Sequence, residues 1–137
     1  MQRVVCDVGV VISGLLSPDG PPGRLLDLWR EGLFDLVVSP LWLDELERVV
    51  KRPKITRYID AADAIVLPET IVRQAVFVGD PPPQPGLTPD PGDDYVVALA
   101  RANEADVIVS GDRHLLGLRA PEPPVVTLRA FVDDLER

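Results

Sequence analysis

The chain has 137 residues, of which 46% are hydrophobic, and this is enough for one domain with its own core. Its 22 acidic residues outnumber its 14 basic ones and give a net charge of -8, which excludes nucleic-acid binding driven by a generally basic surface. The single cysteine excludes an internal disulfide, and no run reaches the about 20 apolar residues of a membrane span. We therefore expect a cytoplasmic protein without a membrane segment.

Predicted strands alternate with predicted helices along the first part of the chain. Short β-branched apolar runs indicate the strands, and prolines suited to a first helical turn mark the helices. The middle of the chain is predicted to be helical, with breaks at Pro53 and Pro68. In chain order the predicted elements are strand 3–8, helix 22–31, strand 36–38, helix 40–51 and the helical stretch 54–78.

A proline-rich segment at 80–92 separates the two halves of the chain. It cannot form regular structure, and we predict an ordered loop inside one domain because the pieces on either side are too small to fold alone. Strands that alternate with helices imply parallel pairing with right-handed crossovers, and therefore an α/β fold. The remaining predicted elements are helix 93–103, strand 106–110, helix 112–118, strand 124–127 and a final helix.

Two aspartates follow buried strands of the predicted sheet. Asp7 closes the apolar run at 4–6, and Asp112 follows the run at 107–109 after a short turn. Because parallel strands share a carboxyl edge, both side chains would emerge at that edge, where open α/β sheets place their sites. Each aspartate has an alternative role as the cap of the turn or helix that follows it.

Acidic side chains from two helices are predicted to face the same edge. Glu45 lies on the flank of the apolar stripe of helix 40–51, although a solvated position or an ion pair with Arg48 stays open. Asp93 and Asp94 open the next predicted helix, and periodicity does not choose between them. Carboxylates gathered in this way repel one another, and a hard divalent cation such as Mg²⁺ relieves that repulsion. The pattern therefore indicates a metal-dependent enzyme that acts on phosphates.

Two further features have both a structural and a functional interpretation. His114 is the only histidine and is a candidate ligand for a metal or a phosphate, although a lone histidine in a polar turn is more often a surface residue. A basic segment is the one local reversal of charge, and it would either guide a polynucleotide backbone or form a solvated helix end. The basic segment consists of Arg48, Lys51, Arg52, Lys54 and Arg57.

Four segments carry a resemblance to a known family. They are residues 4–10 (VVCDVGV), 39–46 (SPLWLDEL), 93–100 (DDYVVALA) and 108–116 (IVSGDRHLL). In this order they resemble the PIN-domain family and, within it, the toxin ribonucleases of bacterial toxin–antitoxin pairs. The resemblance extends from the first strand to the last helix. It implies a three-layer α/β/α sandwich with a mainly parallel sheet, RNA cleavage with Mg²⁺ or Mn²⁺, a homodimer or higher oligomer, and inhibition by a cognate antitoxin protein.

The resemblance also implies roles for individual residues. The family spacing favours Asp94 over Asp93 as the third acid of the site. Asp7, Asp94 and Asp112 would then hold the metal ion, and Glu45 would orient the attacking water or a second ion. The implied catalytic set is Asp7, Glu45, Asp94 and Asp112, with Asp93, Ser110 and His114 as auxiliary candidates.

The chain departs from the family pattern at two positions. Gly9 stands where an asparagine usually helps to order the acids, and His114 stands where many members have another aspartate. These departures motivate an alternative function, a catalytically weakened PIN module that binds RNA or a partner protein. A phosphoryl-transfer fold with Asp7 as the acceptor is disfavoured, because the only two lysines lie in the middle of the chain.

Overall fold

Strands and helices alternate along all 137 residues, each of which is described by the computed structural model. The five strands are β1 (Arg3–Cys6), β2 (Asp35–Val38), β3 (Val76–Phe77), β4 (Val107–Val109) and β5 (Val125–Val126). The helices are α1 (Val8–Leu16), α2 (Pro21–Arg30), α3 (Pro40–Val50), α4 (Pro53–Thr56), α5 (Ala61–Gln74), α6 (Pro91–Ala102), α7 (Arg113–Leu116) and α8 (Leu128–Leu135). None of these helices combines the length and the apolar character needed to cross a membrane.

The strands form one sheet in the order β3-β2-β1-β4-β5, and every neighbouring pair is parallel. Strand β1 is central, with Val4 opposite Leu36 of β2 and opposite Val107 of β4. The chain adds β2 and β3 on one side of β1 and then crosses over to add β4 and β5 on the other. The strand order therefore reverses between β1 and β4, and their carboxyl ends flank the crevice in which sheets of this kind bind ligands.

Helices cover the sheet and complete a single hydrophobic core of 31 buried residues. Helix α1 packs against α2 and α3, α2 also packs against α8, and α6 packs against β1 and β4. Because crossovers between parallel strands are right-handed, the reversal of strand order places α6 on the opposite face of the sheet from α2. The structure thus confirms the predicted single-domain α/β fold with a parallel sheet.

Three local predictions were wrong. Strand β1 ends at Cys6 rather than at residue 8, because Asp7 caps helix α1, which the sequence analysis did not predict. The apolar, β-branched start of α1 resembles a continuation of the strand. Residues 76–77 form β3 instead of extending a helix to residue 78. Pro68 lies inside α5 and does not break it, because the buried side chains of Leu67 and Ile71 hold the helix on both sides of the proline.

Candidate active site

An acidic cleft of about 540 Å³ opens at the carboxyl ends of β1 and β4, where the strand order reverses. Its lining contains no lysine, arginine or histidine. Carboxylates that share a cleft without a counter-charge destabilise one another's ionised forms. The acidic residues of the lining are Asp7, Glu45, Asp90, Asp93 and Asp112.

Asp7 has a fixed orientation at the start of the cleft. It is the N-cap of α1, and its Oδ1 accepts a hydrogen bond from the Val10 amide at 2.9 Å. Its Oδ2 accepts a hydrogen bond from the hydroxyl of Ser110, which is fully buried. Burial raises the pKa of Asp7 above its usual value, the hydrogen bonds from Ser110 and Val10 oppose this rise, and Asp112 adds to it. Asp7 is therefore a crowded carboxyl group whose charge would be stabilised by a cation.

Ser110 connects Asp7 to Asp112. While its hydroxyl donates to Asp7, its Oγ also accepts a hydrogen bond from the Asp112 amide at 2.9 Å. Asp112 caps α7 by accepting a hydrogen bond from the His114 amide at 2.7 Å. The two strand-end aspartates are thus linked through one buried hydroxyl. His114 contributes only its backbone to this arrangement, since its side chain is exposed and does not line the cleft.

Among the acidic residues that line the cleft, Asp93 has the most strongly raised pKa. It lies in the first turn of α6, and its Oδ2 is buried without a hydrogen-bond partner. Burial, followed by the charges of Asp112 and Asp90, raises the pKa of Asp93 to about 6, and a hydrogen bond that protonated Asp93 can donate to the Asp112 carboxylate and the charge of Asp7 add to the rise. A buried oxygen without a donor is costly in free energy, so a cation or a hydrogen-bond donor beside this atom would be stabilising.

Asp94, the neighbour of Asp93, faces away from the cleft. Its carboxylate accepts hydrogen bonds from the amides of Gly86 (3.0 Å) and Thr88 (2.6 Å) in the proline-rich loop. Burial opposes the ionisation of Asp94, but the hydrogen bonds from Thr88 and Gly86 outweigh it and lower the pKa. The prediction that Asp94 rather than Asp93 joins the other acids does not match this geometry. Asp94 holds the loop, and Asp93 takes its expected place in the cleft.

Glu45 faces the cleft as the sequence indicated, because α3 is attached to the central strand. The indole Nε1 of buried Trp42 donates a hydrogen bond to the carbonyl of Cys6 at 2.7 Å. Cys6 is the last residue of β1 and directly precedes Asp7. This bond fixes α3 against the end of β1, so that Glu45, one turn beyond Trp42, lies exposed at the cleft.

Two groups of residues differ from expectation. None of the basic segment at 48–57 lines the cleft, so the structure does not bring these residues to the acids. Asp90 was missed by the sequence analysis, although it lines the cleft and caps α6 by accepting a hydrogen bond from the Gly92 amide at 2.9 Å. The signal was present, since an Asp-Pro pair at 90–91 is typical of an N-cap followed by the first helical residue.

The carboxylate oxygens of the cleft are suitable ligands for a hard divalent cation, although their side chains do not converge on one position. No group of three His, Cys, Asp or Glu side chains is arranged around one coordination centre. The oxygens available are nevertheless carboxylates, which Mg²⁺ and Mn²⁺ prefer. The unpartnered Oδ2 and the raised pKa of Asp93 indicate that a cation would relieve the strain in this cleft.

Comparisons with known proteins agree with this architecture. Residues 3–114 match the family model of the PIN domain. The chain is 30% identical to the uncharacterized protein MJ1680 of Methanocaldococcus jannaschii, over 98% of this chain and 92% of the relative. Its fold is similar to the crystal structure of PAE2754 from Pyrobaculum aerophilum, with a TM-score of 0.64 at 16% identity, over 99% of this chain and 90% of the other. Since the family model spans most of the chain, the protein belongs to the PIN-domain family.

Proposed function

We propose that the protein is a Mg²⁺- or Mn²⁺-dependent ribonuclease that hydrolyses RNA phosphodiester bonds in the acidic cleft. PIN domains are generally nucleases and typically use a divalent metal. The observation that carries the proposal is the state of Asp93, whose buried Oδ2 has no partner and whose pKa is raised to about 6 by burial and by neighbouring acids. A buried carboxyl group with a raised pKa and no basic side chain beside it is typical of a site that binds a cation from solution.

Asp7, Asp93 and Asp112 are the residues that would hold the ion. Ser110 would keep Asp7 and Asp112 in register, since it donates to one side chain and accepts from the backbone of the other. When bound, the ion would lower the pKa of water and neutralise charge that develops on the scissile phosphate. Glu45, exposed on the opposite wall, would accept a hydrogen bond from the attacking water and orient it.

The charge of the cleft also bears on how substrate arrives. Five carboxylates and no basic side chain line it, so a phosphate group is repelled from the metal-free cleft. A bound divalent cation reverses the local field at the bottom of the cleft. RNA binding is therefore expected to strengthen when Mg²⁺ or Mn²⁺ is added, which is the opposite of the ordinary effect of added salt on a basic nucleic-acid-binding surface.

The test is a cleavage assay with matched variants. The 137-residue chain is incubated with single-stranded and structured RNA, and with single-stranded DNA of the same sequence, in Mn²⁺, Mg²⁺ or EDTA. Asp93→Asn removes a carboxylate from the cleft, while Asp44→Asn removes an exposed one that does not line it. We expect metal-dependent RNA cleavage that is lost in Asp93→Asn and in EDTA and kept in Asp44→Asn.

The same assay separates the proposal from the catalytically weakened PIN module. Wild-type protein that binds Mn²⁺ and RNA but leaves every RNA intact would contradict the ribonuclease and favour the binding module. Cleavage that persists in Asp93→Asn at the wild-type rate would place the chemistry outside this cleft. Preference for DNA over RNA would keep the metal-dependent nuclease and overturn its assignment to RNA.

The toxin role, a cognate antitoxin and a homodimer or higher oligomer stay predictions from the resemblance. If the protein is a toxin, its induction in a bacterial host will stop growth, and induction of Asp93→Asn to the same level will not. Growth that continues at full rate with active wild-type nuclease would contradict the toxin role without affecting the nuclease. The oligomeric state is measured independently by light scattering.

A further inference from the structure

A second polar cluster lies beside the acidic cleft and is not part of its lining. The hydroxyl of Tyr95 donates a hydrogen bond to Asp80 Oδ1 at 3.1 Å and accepts one from the hydroxyl of Ser39. The same Asp80 oxygen accepts a hydrogen bond from the Leu41 amide at 3.0 Å. These four residues come from α6, from the segment after β3, and from the start of α3. We call them the Tyr95 cluster.

The Tyr95 cluster replaces an ordinary helix cap. Ser39 is the N-cap residue of α3, and serine commonly caps a helix with its own side chain, but here it makes no such bond. Its fully buried hydroxyl is bonded to Tyr95 instead, and the amide of Leu41 is capped by Asp80, which lies 39 residues further along the chain. The start of α3 is therefore held by groups that are distant in sequence.

The titration of the cluster is consistent with these bonds. Burial and the neighbouring Asp80 raise the pKa of the Tyr95 hydroxyl, so that it stays a donor across the physiological range. Burial opposes the ionisation of Asp80, but the hydrogen bonds from the Leu41 amide and the Tyr95 hydroxyl, together with the nearby Ser39 hydroxyl, outweigh it and lower the pKa. A neutral phenol thus donates to an ionised carboxylate, which is a stronger bond than one between two neutral groups.

The cluster joins the two helices that bring acids to the cleft. Tyr95 lies two residues after Asp93 on α6, and Ser39 and Leu41 lie at the start of α3, which carries Glu45. The indole of Trp42, next to Leu41, is in turn bonded to the end of β1 just before Asp7. A shift of α3 relative to α6 would therefore change the spacing of the acidic side chains in the cleft.

We propose that Tyr95 and Asp80 are positioning residues, which hold α3 against α6 so that Glu45 lies where it could bind, through a water, the divalent ion that Asp7, Asp93 and Asp112 would hold. This inference rests on the proposed function, because the spacing matters only if the cleft binds a cation. Groups that orient metal ligands without touching the metal commonly change affinity or activity by about 10- to 100-fold when they are removed.

The test uses Tyr95→Phe, which removes one oxygen and keeps the ring. The matched control is Tyr58→Phe, since Tyr58 is the only other tyrosine and is 69% exposed. Mn²⁺ binding to the full chain is measured by titration calorimetry and by electron paramagnetic resonance of free Mn²⁺, alongside RNA cleavage. We expect about a ten-fold weaker Mn²⁺ affinity for Tyr95→Phe and no change for Tyr58→Phe.

A double-mutant cycle separates positioning from a general loss of stability. If Tyr95 acts on the metal through the position of Glu45, the effect of Tyr95→Phe on Mn²⁺ affinity will largely disappear in a Glu45→Gln background. Wild-type Mn²⁺ affinity in Tyr95→Phe, or an unchanged effect in the Glu45→Gln background, would overturn the positioning role and leave the nuclease intact. Wild-type protein that neither binds Mn²⁺ nor cleaves RNA would overturn both.

Discussion

Asp93 and Asp94 are adjacent in the chain, yet they lie in regions with opposite electrostatics. Asp93 faces other carboxylates in the acidic cleft, and its pKa is raised by burial and by Asp112. Asp94 faces the proline-rich loop, where backbone amides of Thr88 and Gly86 outweigh its burial and lower its pKa. The comparison shows that a carboxylate is stabilised by the donors that the fold aims at it. The buried Oδ2 of Asp93 lacks such a donor, which is why this carboxylate is suited to an external cation.

The largest expected effect comes from neutralising Asp93, the member of the pair that faces the cleft. Asp93→Asn removes a carboxylate from the proposed metal site and is expected to lower Mn²⁺-dependent RNA cleavage at least about a hundred-fold, as the loss of one key stabilising group does in other active sites. Single-turnover cleavage at saturating Mn²⁺ measures this loss. A reduction below about three-fold in a folded variant would contradict a role for Asp93 in the chemistry.

Neutralising Asp94, which faces the proline-rich loop, is expected to lower stability more than it lowers cleavage. Asp94→Asn keeps the size of the side chain but weakens its bonds to Gly86 and Thr88, which are charge-assisted only while Asp94 is ionised. We expect a lower melting temperature, faster hydrogen exchange at those two amides, and cleavage reduced by less than about ten-fold. Gly86 has a φ of +84°, a conformation that suits glycine and lets its amide turn toward Asp94.

If Asp94→Asn abolished cleavage while the loop amides stayed protected, Asp94 would belong to the chemistry, as the family spacing suggested. Each of the variants Asp93→Asn and Asp94→Asn is thus a control for the other. Both remove one negative charge from the first turn of α6, but only Asp93 faces the cleft.

The stability of the metal-free protein is expected to fall as the pH rises from about 4 to about 7. Asp93 has a pKa of about 6 in the folded protein, above the about 3.9 of an unfolded aspartate, so the folded state binds more protons between these values. Because the folded state binds more protons, the protein loses stability as the pH rises through the folded pKa of Asp93, and the loss is nearly complete at about pH 7. After allowance for screening by solvent, this loss is about 1 kcal/mol.

Urea unfolding in EDTA at pH 4.5 and pH 7 measures this change in the free energy of unfolding. Asp93→Asn is expected to flatten the dependence, and millimolar Mg²⁺ is expected to recover stability at pH 7 by binding the folded state. A metal-free protein whose stability rises between pH 4.5 and pH 7 by the same amount in wild type and in Asp93→Asn would contradict the crowding of this cleft.

The parts of the site that follow a strand were predictable from the sequence. Asp7 and Asp112 come directly after apolar runs, and parallel pairing brings the ends of such runs to one edge. The fold class followed from the alternation of strands and helices. Helix α1 was not predictable in the same way, because its first residues, Val8 to Ile12, have the β-branched composition of a strand and only the cap by Asp7 marks the change.

The parts that depend on the phase of a helix or on distant contacts were not predictable. Adjacent helical residues differ in direction by about 100°, so the choice between Asp93 and Asp94 depends on where Asp90 starts α6 and on which donors approach from the loop. Likewise, Asp80 caps α3 by binding the amide of Leu41, which lies 39 residues earlier in the chain, and no local sequence pattern predicts that contact. Sequence spacing can indicate that acids converge, whereas tertiary contacts decide which of two neighbours converges.

The smallest expected effect comes from adding a polar group to the cleft at Gly9. This glycine is exposed in the first turn of α1 and lines the cleft, and a Cβ there would lie 3.4 Å from Asp7 Oδ1, which is an ordinary contact. The resemblance places an asparagine at this position, so Gly9→Asn would bring a further amide donor close to the Asp7 carboxylate. We expect Mn²⁺ affinity and cleavage to rise by about two- to five-fold, because an added donor orients Asp7 without adding charge.

Gly9→Ala is the control, since it adds the Cβ and the helix propensity but no amide. Equal gains in Gly9→Ala and Gly9→Asn would assign the effect to the helix, and a loss in both would show that the cleft needs the open space that glycine leaves beside Asp7.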